Sequence, residues 1–175
     1  ETEERARARG ATPHGRILGF GNVAEAHHLV QPREDGEGAG RAMATALRDA
    51  GLEASRVDYI NAHGTATPQN DTSEAQAIHR VFGPRVDRLP VSSTKSQVGH
   101  LLGASGAVEL AATLLGMAGG FVPPNVGYEQ PDPSVQLDIA ADPRSHCIGV
   151  ALSNSFAFGG NNSSLCVGHP DQGAL

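Results

Sequence analysis

Short apolar runs that end in polar turns, with glycine-stopped helical segments between them, constrain this chain more than any other feature. Residues 16–25 alternate apolar and small side chains, and 57–62 and 89–93 are brief apolar runs, so each reads as a strand. Between the first two, Ala39, Met43, Ala46, Leu47 and Ala50 keep helical spacing up to Gly51. Asp71 and Glu74 form a capping-box-like start to a second helix, which places Ala75, Ile78 and Phe82 on one face. A Gly-rich turn leads into a third helix over 101–116. Strands are expected at 135–139, 147–152 and 163–168, with a loop at 154–160. Residues 1–10 read as a helix tail or linker, 27–36 as a polar loop and 169–175 as a disordered tail. Strands alternating with helices point to a layered α/β fold, and 175 residues suffice for one domain or one half of a larger one.

Composition narrows the function classes. Lys and Arg total 13 against 19 Asp and Glu, a net charge of −6, and no basic run is present; this argues against nucleic acid as the main partner. With no Trp, the core must be aliphatic. Two cysteines, Cys147 and Cys166, cannot build a disulfide scaffold or a four-cysteine zinc site, and both read as inert core. The apolar stretch 101–122 contains Glu109 and several glycines and serines, and reads as a buried helix rather than a membrane span. A soluble cytoplasmic protein is the expectation. The chain opens at Glu1 without Met or a signal-peptide pattern, which points to a processed or excised segment.

Four polar residues stand out. Lys95 is the one lysine among 13 basic residues, and it closes an apolar strand where a compact ammonium differs from a guanidinium. Glu109 lies on a helix that is apolar nearly all round, and a buried carboxylate needs a partner; Lys95 is within reach. His63 and His100 each follow a strand, at the carboxyl ends where open α/β sheets place their sites. Two imidazoles and an ammonium at one edge suit a reaction that develops negative charge on a carbonyl oxygen. Each histidine alone is equally a satisfied loop residue, and Lys95–Glu109 could be a purely structural pair. His14, His27, His28, His79, His146 and His169 read as surface or loop residues. No metal spacing, no Gly-x-Ser-x-Gly elbow and no dinucleotide loop is present.

These residues stand inside three ordered phrases: 61–68 (NAHGTATP), 91–100 (VSSTKSQVGH) and 153–160 (SNSFAFGG). The phrases resemble the β-ketoacyl-acyl carrier protein synthases, in particular the elongating condensing enzymes of type II fatty acid and polyketide synthesis, over about 9–168. The resemblance implies the C-terminal half of a thiolase-like fold, a mixed sheet between helices. It implies that the nucleophilic cysteine belongs to an N-terminal half, since neither Cys147 nor Cys166 lies in a matching phrase. His63 and His100 would bind the malonyl thioester carbonyl and stabilise the enolate. Lys95 would organise His100, with Glu109 as its ion-pair partner. Thr65 and Thr67 would contact the pantetheine arm, Phe158 would gate the acyl pocket, and Gly159 and Gly160 would admit backbone to the thioester oxygen. No metal or bound cofactor is implied, because the acyl carrier protein delivers the arm. The partners implied are that N-terminal half, the carrier protein and a second assembled copy.

Three departures from the family pattern bear on substrate choice: Val30-Gln31 before Pro32, Gln97-Val98 for a commoner Met-Thr pair, and Asn161 after Gly160. Retention of His63, Lys95 and His100 argues against a chain-length-factor subunit. Two readings stand: a catalytic half that performs decarboxylative condensation, and a non-catalytic module that binds carrier protein or synthase.

Overall fold

The computed structural model describes residues 1–171. Six strands form one sheet in the order β1 (Arg16–Ala24), β8 (Asn161–Gly168), β7 (Val150–Ala157), β2 (Tyr59–Asn61), β3 (Pro90–Ser92) and β5 (Asp138–Ile139). The sheet is mixed. β1 and β7 run antiparallel to β8, whereas β7, β2, β3 and β5 run parallel. The short strands β4 (Phe121–Val122) and β6 (Arg144–Ser145) pair separately. The helices are α1 (Glu3–Ala8), α2 (Glu37–Asp49), α3 (Pro68–Phe82), α4 (Lys95–Val98) and α5 (Ser105–Gly119).

Alternation along the strands divides the core in two. Ile60, Leu152 and Cys166 pack with Met43 and Leu47 of α2 and Ile78 of α3. Their neighbours Tyr59, Ala151 and Val167 point the other way and pack with Met117, Leu110 and Leu114 of α5. The sheet therefore lies between α2 and α3 on one face and α5 on the other. β1 has glycines where α2 crosses it: a Cβ at Gly21 would stand 2.0 Å from the Ala42 carbonyl oxygen. The helix backbone rests directly on the strand there, and any side chain would push it off.

Several boundaries differ from the sequence reading. The second helix begins at Pro68 with Thr67 as its cap, since proline suits the first helical position; Asp71 does not open it. Residues 154–157 belong to β7, because pairing with β8 runs without interruption to Ala157, and the turn is confined to 158–160. Of 135–139 only Asp138–Ile139 pairs, and residues 147–149 precede the strand. Cys147 is exposed rather than core, while Cys166 is buried. The third helix starts later, at Ser105, and is not buried all round: Ala107, Ala111 and Leu115 are exposed. Leu102–Gly119 is long and apolar enough to cross a membrane by length and composition, and it carries the buried Glu109 and Thr113. Of the tail expected at 169–175, the portion 172–175 lies outside the described residues; His169 still donates its N–H to the Gly149 carbonyl at 2.8 Å.

Candidate active site

β2 and β3 are adjacent and parallel, with Ile60 opposite Val91 and Asn61 opposite Ser92. Their carboxyl ends thus deliver His63 and Lys95 to the same edge. The Lys95 ammonium donates to the Glu109 carboxylate on α5 in a tight ion pair, both side chains being almost wholly buried. It also approaches His63 Nδ1 at 3.4 Å. His100 follows α4 and brings its ring edge-on to His63, centroid to centroid 5.7 Å. The other side of His63 meets Phe156 of β7 at 5.4 Å. The two imidazoles, the ammonium and the carboxylate converge.

Their neighbours set the tautomers. Lys95 can only donate, so His63 Nδ1 is an acceptor and the ring proton sits on Nε2. His100 Nδ1 accepts the Leu102 N–H at 3.2 Å, and Ser105 Oγ lies 3.0 Å from the same nitrogen while accepting the Leu101 N–H. Its proton is therefore on Nε2 as well. Burial, the Lys95 charge and His100 together push His63 down to about 3, so the ring is neutral at neutral pH. Neutral Nε2–H groups are hydrogen-bond donors that add no proton to the reaction, the property needed to receive charge on a carbonyl oxygen.

The backbone beneath His63 rests on a residue that sequence spacing assigned to helix capping. Glu74 of α3 is fully buried and accepts the N–H groups of His63 and Gly64, both at 2.9 Å, and the Asn154 amide at 3.1 Å. Burial raises the Glu74 carboxyl above its ordinary range, opposed by those three donors. Asn154 is fixed in turn by Ser164 Oγ at 2.9 Å. Asn61 plays a comparable part under Lys95, donating to the Glu109 carbonyl at 3.1 Å and to Thr113 at 3.2 Å. Sequence spacing carries no signal for either Glu74 or Asn154: Glu74 fits a capping pattern, and Asn154 falls in the expected loop.

The other expected site residues divide into two groups. Thr65 and Thr67, with hydroxyls 3.2 Å apart, line a cleft of about 640 Å³ together with Lys95 and His100. Phe158, Gly159 and Gly160 do not line it. They form the β7–β8 turn, in which Phe158 is 74% exposed and the glycines have φ of +78° and +73°. That turn is stitched to the loop before α2: Gly159 donates to the Leu29 carbonyl at 2.7 Å, and Glu25 donates to the Gly160 carbonyl at 2.9 Å. Among the described residues no group of three His, Cys, Asp or Glu side chains could hold a metal ion.

Comparison with known proteins decides the family. Residues 14–129 match the family described as "Beta-ketoacyl synthase, C-terminal domain". The chain belongs to the β-ketoacyl synthases. Among curated relatives, 3-oxoacyl-[acyl-carrier-protein] synthase 2 of Synechocystis sp. is 48% identical over 94% of this chain and 40% of its own length. The corresponding enzyme of Staphylococcus aureus is 44% identical over 94% and 40%. Among solved structures, a β-ketoacyl synthase from Burkholderia phymatum superposes with a TM-score of 0.91 at 43% identity, covering 97% of this chain and 41% of that one. A type II PKS acyl-carrier protein in complex with its ketosynthase gives 0.94 at 36% identity, covering 97% and 42%. The fold is thus the thiolase-like α/β architecture of ketosynthases, and the chain spans about two fifths of the length of the relatives it matches.

Proposed function

We propose that this chain is the C-terminal part of a β-ketoacyl-acyl carrier protein synthase that catalyses decarboxylative Claisen condensation of an acyl thioester with malonyl-carrier protein. The observation that carries the reading is the convergence of His63, His100 and Lys95 with both imidazoles protonated on Nε2. Loss of CO2 from the malonyl thioester leaves an enolate whose oxygen takes hydrogen bonds from His63 and His100. The enolate carbon attacks the acyl-cysteine carbonyl, the new C–C bond forms, and the thiolate departs. The Lys95 ammonium, expected beside His100, instead approaches His63, holds His63 Nδ1 as an acceptor and keeps positive charge near the developing anion. Thr65 and Thr67 receive the pantetheine arm in the cleft, Phe158 gates the acyl pocket, and Gly159 and Gly160 let backbone approach the thioester oxygen. No bound cofactor enters.

The nucleophilic cysteine is supplied by an N-terminal half. Two findings support this: Cys166 is buried with its thiol raised to about 11, and Cys147 is on the surface before β7. The exposed stripe Ala107, Ala111 and Leu115 of α5 is where that half packs, in a cytoplasmic enzyme that works as a dimer of assembled halves. The test is CO2 release from malonyl-carrier protein by this chain assembled with a cysteine-bearing half. Activity that disappears in both His63→Ala and His100→Ala is the expected result. Assembled but inactive protein would favour a carrier-binding module.

A further inference from the structure

β2 and β3 are only three residues long, and their last backbone rung is the Ala62 N–H to the Ser92 carbonyl at 2.9 Å. Beyond it the chains diverge into the turns that carry His63 and Lys95, and among the described residues no further backbone hydrogen bond joins them. Side chains take over. Ser93, 5% exposed, donates its hydroxyl to the Gly64 carbonyl at 3.0 Å, with the His63 carbonyl at 3.5 Å. The contact is close enough to require glycine opposite: a Cβ at Gly64 would stand 2.5 Å from Ser93 Cβ, and Gly64 has φ of +42°.

Ser93 is itself braced from a third element. Its N–H donates to Asn125 Oδ1 at 3.0 Å, and its carbonyl accepts Ser96 Oγ at 2.8 Å. The 123–126 segment that supplies Asn125 is tied down four more times: Ser92 Oγ to the Pro123 carbonyl at 2.6 Å, Val126 N–H to Ser96 Oγ at 3.0 Å, Gln97 Nε2 to the Pro124 carbonyl at 2.9 Å, and Asn125 N–H to the Ala140 carbonyl at 2.7 Å. The loop after β4 thereby fixes the start of the lysine turn, and Ser93 transmits that position to the histidine turn.

We propose that Ser93, held by Asn125, is a positioning residue that sets the separation of His63 from Lys95. This rests on the reading of the site given above, and it adds a residue that lines the same cleft as Thr65, Lys95 and His100 but acts through the turn that carries His63. Removing the hydroxyl leaves the 63–64 turn held from the Glu74 side only, so that it can shift relative to Lys95 while the ion pair to Glu109 stays in place. A misplacement well under an ångström at a donor lowers turnover more than binding.

The test uses the enzyme assembled with its cysteine-bearing half and compares Ser93→Ala with Ser93→Thr, which keeps the hydroxyl. In Ser93→Ala, kcat for malonyl decarboxylation is expected to fall about tenfold with KM changed less than about twofold. In parallel, nitrogen NMR should show the His63 titration, held near about 3 in the native protein, moving upward. Ser93→Thr should restore both. Native kcat together with an unmoved His63 titration in Ser93→Ala would overturn the proposal. An inactive parent enzyme would instead sink the functional reading, and the His63 titration would still decide the role of Ser93. Should Ser93→Ala fail to fold, Asn125→Ala, which releases the Ser93 N–H, is read by the same two measurements.

Discussion

On the α2 and α3 side of the sheet, Met43, Ile60, Ile78 and Leu152 have no exposed surface. On the opposite side α5 leaves Leu115 68% exposed, and the β1 residue Phe20, which points away from α2, is 48% exposed. The first face is a completed core. The second is built from the same residue types, yet it closes only around Tyr59, Ala151 and Val167, under Met117, Val122 and Ile148. The site lies between the two: Glu74 reaches it from α3, and Glu109 reaches it from α5. Helices on both faces thus hold the edge that carries the candidate site, and the uncovered face is the one on which we propose that an N-terminal half packs.

The largest effect is expected where the two faces meet. Lys95→Ala strands the Glu109 carboxylate in a dry interior and should cost ~3–5 kcal/mol, read as a fall in the denaturant midpoint of the assembled enzyme, with turnover lost as well. An unchanged midpoint would show that Glu109 is neutralised some other way. The contrast between the faces comes next. Ile78→Ala should cost ~2–5 kcal/mol whether or not a partner half is present. Leu115→Asp should leave the isolated chain unaffected and prevent assembly, seen as loss of co-elution with the cysteine-bearing half. Equal effects of the two substitutions on the isolated chain would erase the distinction.

An effect confined to acid pH follows from His63. Its native titration lies at about 3, whereas in the unfolded chain it titrates near the ordinary value of ~6.5. Between these values the unfolded state binds the extra proton, so this contribution to stability is complete above about pH 6.5 and is lost as pH falls toward 3. Thermal melts of His63→Gln should show a shallower decline over that interval than the parent; parallel curves would contradict it. The mildest change expected is Glu74→Gln, which keeps an acceptor but brings an amide that cannot take all three donors; kcat should fall severalfold with KM little altered.

How much of this was legible beforehand depends on the kind of residue. The strands β1, β2 and β3 and helix α2 could be read because periodicity and glycine stops are local properties. Lys95, Glu109, His63 and His100 could be singled out because each is a polar residue placed where a polar residue has a reason to be. The segment 154–157 reads as a loop from sequence because its polar Asn154 and Ser155 mask pairing with β8, which only the tertiary register reveals. Glu74 fitted a capping pattern, and nothing local distinguishes a carboxylate that caps its own helix from one that reaches back to His63. The exposure of α5 was likewise hidden. An apolar helix reads as buried, and which of its faces stays open is a property of the tertiary packing alone.

The claim at the centre is that two neutral imidazoles present Nε2–H groups to the same oxygen. Nitrogen NMR of the assembled enzyme, with labelled histidine followed from pH 5 to 8, tests it directly. The structure predicts that His63 stays neutral and Nε2-protonated throughout, and that His100 carries its proton on Nε2 whenever neutral. A His63 that turns cationic near pH 6.5, or either ring protonated on Nδ1 when neutral, would contradict it.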